Sequence, residues 1–210
     1  MNQQEQLNDQ TNISFKEKVK HYLAYSISNF GNPFTLLFIL VAYASINLLP
    51  MQSALKLILL FLLFAFIPTG LFLAINVRRG RFSNYDVSSK AQRPLFYLFS
   101  IGLLTFLSLT LFLLSGVPAF IRWGCFASLF LLVSSFAINS KIKSSLHTCF
   151  ATYTAFAFFA LNFKMGIGLT IFALLMGWSR LNLLRHTLGE VISGACLGSA
   201  VGTLFYWFMA

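Results

Sequence analysis

Long apolar runs separated by short polar stretches make up most of this chain. Seven such runs follow a basic N-terminal segment, at about residues 34–49, 54–75, 94–114, 118–137, 147–163, 166–178 and 187–209. A helix needs roughly 20 apolar residues to cross a bilayer, and several of the runs approach that length. The runs are too continuous for the alternation of a membrane barrel. The pattern therefore predicts an all-α, polytopic bundle of about six to seven transmembrane helices.

The segment before the first run divides into two parts. Residues 1–13 are polar and rich in Gln and Asn, which predicts a mobile N-terminus. Residues 14–30 carry several lysines, with Phe15, Val19 and Tyr22 at helical spacing between them. This pattern predicts an amphipathic helix that lies in the membrane interface. Residues 31–210 then form a single transmembrane domain.

The composition agrees with a membrane location, and it affects how the positive net charge is interpreted. The chain is 58% hydrophobic and only 10% charged, yet its net charge is +10. In a soluble chain that charge would favour nucleic acid as a partner. Here it indicates loops that face anionic lipid and a site for an anionic substrate, so no nucleic acid is expected. The three cysteines lie inside apolar runs, without the spacing of metal ligands.

Three polar stretches concentrate the side chains capable of chemistry, at residues 86–94, 141–147 and 179–190. Two apolar runs separate the first stretch from the second, and two more separate the second from the third. An even number of crossings returns the chain to the same face of the membrane. The order of runs therefore predicts that all three stretches meet at one end of the bundle.

The third stretch pairs one of only three histidines with one of only five acidic residues. His186 and Glu190 are four residues apart, which places them above one another on a helix face. A carboxylate there can hold one imidazole nitrogen and leave the other available. Arg180 offers a fork of donors suited to phosphate. A polar loop before a helix would explain this stretch alone, but His147 in a similar setting favours a shared site.

The last apolar run carries glycines at four-residue spacing, Gly194, Gly198 and Gly202. Small residues in such a row let helices approach closely in lipid. The row continues the interval set by His186 and Glu190. It therefore predicts a tightly packed helix that holds the histidine at the end of the bundle.

Together the three stretches resemble the type 2 phosphatidic acid phosphatase superfamily. Its third motif is Ser-Arg, five residues, His, three residues, Asp, which corresponds here to Ser179-Arg180, His186 and Glu190 in place of Asp. Its second motif, Pro-Ser-Gly-His, keeps Ser145 and His147 but has lost the Pro and the Gly.

The first motif of the superfamily is Lys, six residues, then Arg-Pro. The chain keeps Arg93-Pro94, but Asp86 stands where the family has Lys. Lys90 lies nearby and is a candidate to supply the missing charge. Two explanations for Asp86 remain open: it pairs with Lys90 or an arginine, or the site prefers a different head group.

The resemblance implies a role for each residue. His186 would be the nucleophile that forms a phosphohistidine, and Glu190 would hold its far nitrogen. His147 would protonate the leaving oxygen and then activate water. No metal and no cofactor would take part. The phosphate would be bound by Arg93, Arg180, Lys90, Lys143 and Ser145.

The expected function is hydrolysis of a lipid phosphate monoester or diphosphate that is phosphatidate-, phosphatidylglycerophosphate- or polyprenyl-diphosphate-like. A lipid phosphotransferase is one alternative, and a non-catalytic transporter or scaffold with a phosphate-binding pocket is another. Lysines and arginines are more numerous on the side of the site, which predicts the cytoplasmic face of the cell (inner) membrane. Many members of the superfamily work on the outer face, so the resemblance points the other way.

Overall fold

The computed structural model describes residues 15–139 and 141–210, and these ranges are helical without a strand. The predicted mobile N-terminus, residues 1–13, lies outside the described residues. The all-α prediction is confirmed for the described part of the chain. Its helices are α1 Phe15–Phe30, α2 Pro33–Leu48, α3 Met51–Arg78, α4 Arg93–Leu113, α5 Ala119–Asn139, α6 Leu146–Leu161, α7 Phe163–Asn182 and α8 Leu188–Met209.

Four of the described helices are long and apolar enough to cross a membrane, namely α3, α4, α5 and α8. A fifth span results if α1 and α2, which meet at a bend of 51°, count as one. The expected six to seven spans are not reached by this measure. Helix α6 is apolar but has 16 residues, which corresponds to about 24 Å against a hydrocarbon core of about 30 Å.

Helix α1 packs at one end of the bundle, against α7. Ala24 and Ser28 are buried there, and the Ser179 hydroxyl donates a hydrogen bond to the Ala24 carbonyl at 2.6 Å. Val19 and Tyr22, on the predicted apolar face, are exposed. Ile27 packs against the cluster of Leu36, Ala151, Ala173 and Met176, and the Phe30 ring contacts that of Phe172. The contacts of α1 with the bundle therefore combine small, polar and apolar residues near its C-terminal end, while the apolar residues of its first half stay exposed.

Helix α3 contains a π-helical turn at Leu62–Phe66. The Ile67 amide donates to the Leu62 carbonyl, five residues back. Pro68 follows immediately and has no amide hydrogen to donate to the carbonyl one turn earlier. The loosened turn accommodates this missing bond within an otherwise continuous helix.

Helix α6 lies between α7 and α8, and nearly all its first half is buried. It runs parallel to α8, because Gly194 faces Ser145 and Gly198 faces Cys149. A methyl group on either glycine would overlap a backbone carbonyl oxygen of α6 or of its N-cap. The Ser145 amide also donates to the Glu190 carbonyl at 3.1 Å. The two helix starts are therefore fixed against each other, as the glycine row predicts.

Candidate active site

The three polar stretches meet at one end of the bundle, where Arg93 connects them. Arg93 begins α4 and is 4% exposed. Its Nη1 donates to the Ser144 carbonyl at 2.9 Å, and its Nη2 lies 3.4 Å from His186 Nε2. Its Nε donates to the Val87 carbonyl at 3.3 Å. One buried guanidinium thus contacts the stretch before α4, the stretch before α6 and the stretch before α8.

His186 lies between two partners that determine the position of its proton. Its Nδ1 is 2.8 Å from Glu190 Oε2, and its Nε2 faces Arg93. An ionised carboxylate only accepts and a guanidinium only donates, so Nδ1 carries the proton and Nε2 presents a lone pair. The ring is almost completely buried, with 1% of its side chain exposed. This is the tautomer that a nucleophilic Nε2 requires.

The contact between His186 and Glu190 does not arise from a shared helix face. Helix α8 begins at Leu188, and Thr187 is its N-cap. Glu190 forms a capping box, in which its carboxylate accepts from the Thr187 amide at 3.2 Å while its own amide donates to Thr187 Oγ1. The same carboxylate oxygen binds His186. The capping geometry, and not the helical repeat, therefore holds the imidazole.

Burial lowers the pKa of His186 well below 6.5, and the positive charges of Arg180, Arg93 and Lys143 lower it further. The imidazole is therefore neutral at physiological pH. A neutral ring with an available Nε2 can act as a nucleophile, whereas an imidazolium cannot.

His147 lies in the first turn of α6, next to Asp86. Its Nε2 is 3.1 Å from Asp86 Oδ1, and only 8% of the residue is exposed. Each of the two predicted catalytic histidines thus has a carboxylate on one ring nitrogen. The carboxylate of His186 comes from its own segment, whereas that of His147 comes from a loop more than 60 positions earlier in the chain.

Asp86 also binds two arginines. Its Oδ2 accepts from Arg180 Nη2 at 2.7 Å and from Arg185 Nη1 at 3.2 Å. Burial acts to raise the pKa of Asp86, but the contacts with His147, Arg180 and Arg185 outweigh it and hold that pKa at about 2. The residue that departs from the family pattern is therefore an ionised carboxylate at the centre of the basic cluster.

Two buried polar atoms beside this cluster have no hydrogen-bond partner within the described ranges, Arg180 Nε and Ser144 Oγ. Arg180 is 1% exposed, and its Nη1 donates to Ser28 Oγ of α1 at 2.6 Å. A buried donor without a partner is costly. These two groups are ready to donate to a ligand.

The other predicted phosphate-binding residues have different surroundings. Ser145 is the N-cap of α6, and its hydroxyl accepts from the amide and the hydroxyl of Thr148. Lys143 Nζ donates to the Arg185 carbonyl at 2.9 Å, and burial and the charge of Arg93 lower its pKa. Lys90 is exposed on the loop before α4.

Sequence reasoning missed Arg185 and Ser28 as members of the site. Arg185 also donates to Ser88 Oγ at 2.7 Å, so it connects the loop before α8 to the loop before α4. Its place one residue before His186 was a usable signal. Ser28 gave no such signal, because it is a small polar residue in a segment assigned to the membrane surface.

A cleft of about 440 Å³ opens beside these residues. An apolar cavity of about 70 Å³ adjoins it and shares part of its apolar lining, including Phe34 and Phe96. The lining of the cleft combines charged and polar side chains with aromatic and aliphatic ones. The first group is Asp86, Arg93, His147 and Arg185, and the second group is Tyr25, Phe34, Phe66, Phe96 and Leu146.

No group of three or more His, Cys, Asp or Glu side chains that could hold a metal ion occurs in residues 15–139 and 141–210. Comparisons with known protein families, with curated proteins and with solved structures give no match for this chain.

Proposed function

We propose that this protein is an integral-membrane phosphatase that hydrolyses a lipid phosphate monoester or diphosphate through a phosphohistidine. We further propose that it is a divergent member of the type 2 phosphatidic acid phosphatase superfamily. One observation carries the proposal: a neutral His186 is held by Glu190 through Nδ1 and presents Nε2 beside Arg93. His147 and Arg185 line the same cleft as Arg93, and Arg180 is bound to Asp86 at its edge.

In the first step, His186 Nε2 attacks phosphorus and the bond to the ester oxygen breaks. The departing oxygen takes a proton from His147. Glu190 stabilises the positive charge that forms on the His186 ring. Arg93 and Arg180 neutralise the phosphoryl oxygens. Arg180 Nε and the Ser144 hydroxyl, which have no hydrogen-bond partner among the described residues, are available as further donors.

In the second step, water attacks the phosphohistidine. His147, now neutral, takes a proton from that water, and the bond between nitrogen and phosphorus breaks. Orthophosphate leaves, the lone pair returns to Nε2, and His147 carries a proton for the next cycle. Neither of the two proposed steps uses a cofactor or a metal ion.

The mixed lining of the cleft supports a lipid as the substrate. Its charged residues suit a phosphate head group, while Phe34, Phe66 and Phe96 offer an apolar surface to the adjoining chain. A cleft at the end of a bundle with four to five candidate membrane spans would lie within lateral reach of lipid head groups, which supports this choice of substrate.

The proposal includes six to seven crossings. Helix α6 follows α8 in parallel for at least two turns, so it crosses the bilayer if α8 does, and α7 then returns the chain to the site end. Helix α1 would lie at that end in the interface, with the exposed Val19, Tyr22 and Leu23 in contact with lipid.

We place the site on the cytoplasmic face of the cell (inner) membrane. Arg185 binds Asp86, so it no longer counts as a topological charge. The remaining basic residues at the site end still outnumber those at the other end, Lys56, Arg122 and Lys164. The site-end residues are Lys16, Lys18, Lys20, Arg78, Arg79, Arg81 and Lys141.

The decisive experiment measures orthophosphate release from phosphatidate, phosphatidylglycerophosphate and a polyprenyl diphosphate by purified protein. His186→Ala should retain less than about one hundredth of the activity, since it removes the nucleophile and not only a proton-transfer group. His147→Ala should slow both formation and breakdown of a ³²P-labelled phosphoenzyme. His21→Ala is the matched control, because His21 is exposed on α1.

Activity of His186→Ala above about one hundredth of that of the wild-type protein would contradict the assignment of the nucleophile. Transfer of the phosphoryl group to an added alcohol in preference to water would identify a phosphotransferase. Tight phosphate binding without turnover of any lipid would identify a transporter or scaffold.

A second prediction concerns metal ions and inhibition. Incubation with EDTA should leave phosphate release unchanged, because the proposed steps use only histidines and arginines. Vanadate, which adopts a five-coordinate geometry like that of the reacting phosphorus, should inhibit. Activity that disappears with EDTA and returns with Mg²⁺ would require a different mechanism.

A further inference from the structure

Asp86 lies where the proposed reaction needs a phosphoryl group. Its Oδ1 faces His147 Nε2 at 3.1 Å, and its Oδ2 accepts from Arg180 and Arg185 at 2.7 and 3.2 Å. Two of those three donors, His147 and Arg180, are the groups that the proposed reaction brings to the leaving oxygen and the phosphoryl oxygens, and Arg185 adds a further positive charge beside them. A single carboxylate therefore occupies hydrogen-bonding positions that a substrate phosphate would fill.

The loop around Asp86 is built to hold it there. The Asn84 side chain accepts from the amides of Asp86 and Ser88 at 3.1 and 3.2 Å. Val87 is buried at φ 45°, a left-handed conformation that is unfavourable for a β-branched residue. Such backbone strain persists only where the surroundings fix it. The Val87 carbonyl is in turn bound by Arg93, so the position of Asp86 is tied to the site itself.

We propose that Asp86 determines specificity: its carboxylate occupies the phosphate position in the resting site, and only a phosphate group with at least two negative charges displaces it. This inference rests on the proposed function, and it narrows the substrate to monoesters and diphosphates. Phosphodiesters, which carry one negative charge, are excluded.

The reason lies in the charges exchanged. Replacing one monoanion by another gains no attraction from Arg93, Arg180 and Arg185, and the Asp86 carboxylate has the advantage of being already in place. A monoester carries close to two charges above its second pKa of about 6. The second charge is attracted to the arginines without a competitor of equal charge, and this difference selects the dianion.

Such a filter has a clear use in a membrane. Most bilayer phospholipids are phosphodiesters, and a basic cleft open to the bilayer would otherwise be filled by their head groups. An internal carboxylate achieves specificity by weakening the binding of the abundant phosphodiesters, and not by strengthening the binding of the rare monoesters. Asp86 would thereby keep Arg180 and His147 available to scarce monoesters.

The test measures binding of two small probes, methyl phosphate and dimethyl phosphate, to purified full-length protein by calorimetry at pH 8. The wild-type protein should bind methyl phosphate at least tenfold more tightly. In Asp86→Asn both probes should bind at least tenfold more tightly, because no resting carboxylate has to be displaced, and dimethyl phosphate should now bind measurably. Glu17→Gln is the control, because it removes one exposed negative charge on α1 and should keep both wild-type affinities.

Wild-type affinities for both probes in Asp86→Asn, or no binding of dimethyl phosphate to that variant, would overturn the inference. If that variant does not fold, Asp86→Ser takes its place. A wild-type protein that binds dimethyl phosphate as tightly as methyl phosphate overturns the inference without any variant. Because binding needs no turnover, the two proposals fail separately: absent phosphate release defeats the proposed function, and unchanged affinities in Asp86→Asn defeat only the charge filter.

Discussion

At the scale of single residues, the carboxylates of Glu190 and Asp86 have different roles beside His186 and His147. Glu190 caps its own helix and fixes the His186 proton, so its carboxylate supports the nucleophile from behind. Asp86 reaches His147 from a separate loop and is shared with two arginines. The difference comes from what surrounds each carboxylate, since the two side chains have the same chemistry.

The sequence predicts the first of these pairs and not the second. His186 and Glu190 are close along the chain, so local spacing was sufficient to pair them, although a helix cap and not a helix face makes the contact. The sequence marks Asp86 as a departure from the family pattern and suggests an arginine as one of its partners. Its contact with His147 depends on the packing of separate segments, which no spacing along the chain encodes.

The pKa values of the two sites predict how stability changes with pH. The folded-state pKa of His186 lies below the 6.5 of the unfolded chain, so only the unfolded state gains this proton as the pH falls from 7 to 5. Stability should therefore decrease over that window. The unfolding temperature in detergent should fall less steeply for His186→Gln than for the wild-type protein.

Asp86 supplies the control for that measurement. Its folded-state pKa of about 2 lies below the 3.8 of the unfolded chain, so its stabilising contribution is complete above pH 3.8 and is lost only as the pH falls through about 2. Between pH 7 and 5, Asp86→Asn should follow the wild-type slope. If the unfolding temperature of His186→Gln fell with pH as steeply as that of the wild-type protein, His186 would not be held neutral by the fold.

At the scale of helices, the α6–α8 contact positions the site. The glycine row was predictable from the sequence because its four-residue interval has a direct meaning in a helix. The identity of its partner was not predictable, since any helix could have faced it. The structure assigns α6, whose N-cap Ser145 sits against Gly194 and bonds the Glu190 carbonyl.

Gly194→Ala should therefore damage the site, whereas Gly102→Ala on α4 should not. A methyl group at Gly194 would meet the Ser145 backbone, but one at Gly102 would meet no described atom within 4 Å. We expect a loss of roughly 1–3 kcal/mol of stability for Gly194→Ala, typical of overpacking. Thermal unfolding in detergent and vanadate binding would check both variants, and equal behaviour would contradict the proposed role of this contact.

At the scale of the whole molecule, four of the predicted apolar runs correspond to helices of spanning length, and the remaining ones are shorter or more polar. Hydropathy identifies where the helices lie but does not determine whether a short, buried one crosses. Helix α6 is the clearest case, because most of its residues are buried inside the protein. An even number of apolar runs separates the three polar stretches, and this agrees with their position at one end of the bundle.

The side of the membrane can be tested with single cysteines in a cysteine-free background. Ser83 is exposed on the loop at the site end, and Ala210 is exposed at the other end of α8. An impermeant thiol reagent added to intact cells should label Ala210→Cys and spare Ser83→Cys. Labelling of Ser83→Cys alone would place the site on the outer face.

The π-turn of α3 has a consequence for how related chains would differ in length. A π-turn carries one residue more than the α-helical turn it replaces, so loss of one residue at Leu62–Phe66 would leave a continuous α-helix with both halves in register. The same loss elsewhere in α3 would rotate one half by about 100° and separate Leu57 and Phe61 from the core they share with Leu73. Within this helix, a single-residue gap between homologues would be expected to fall at that turn.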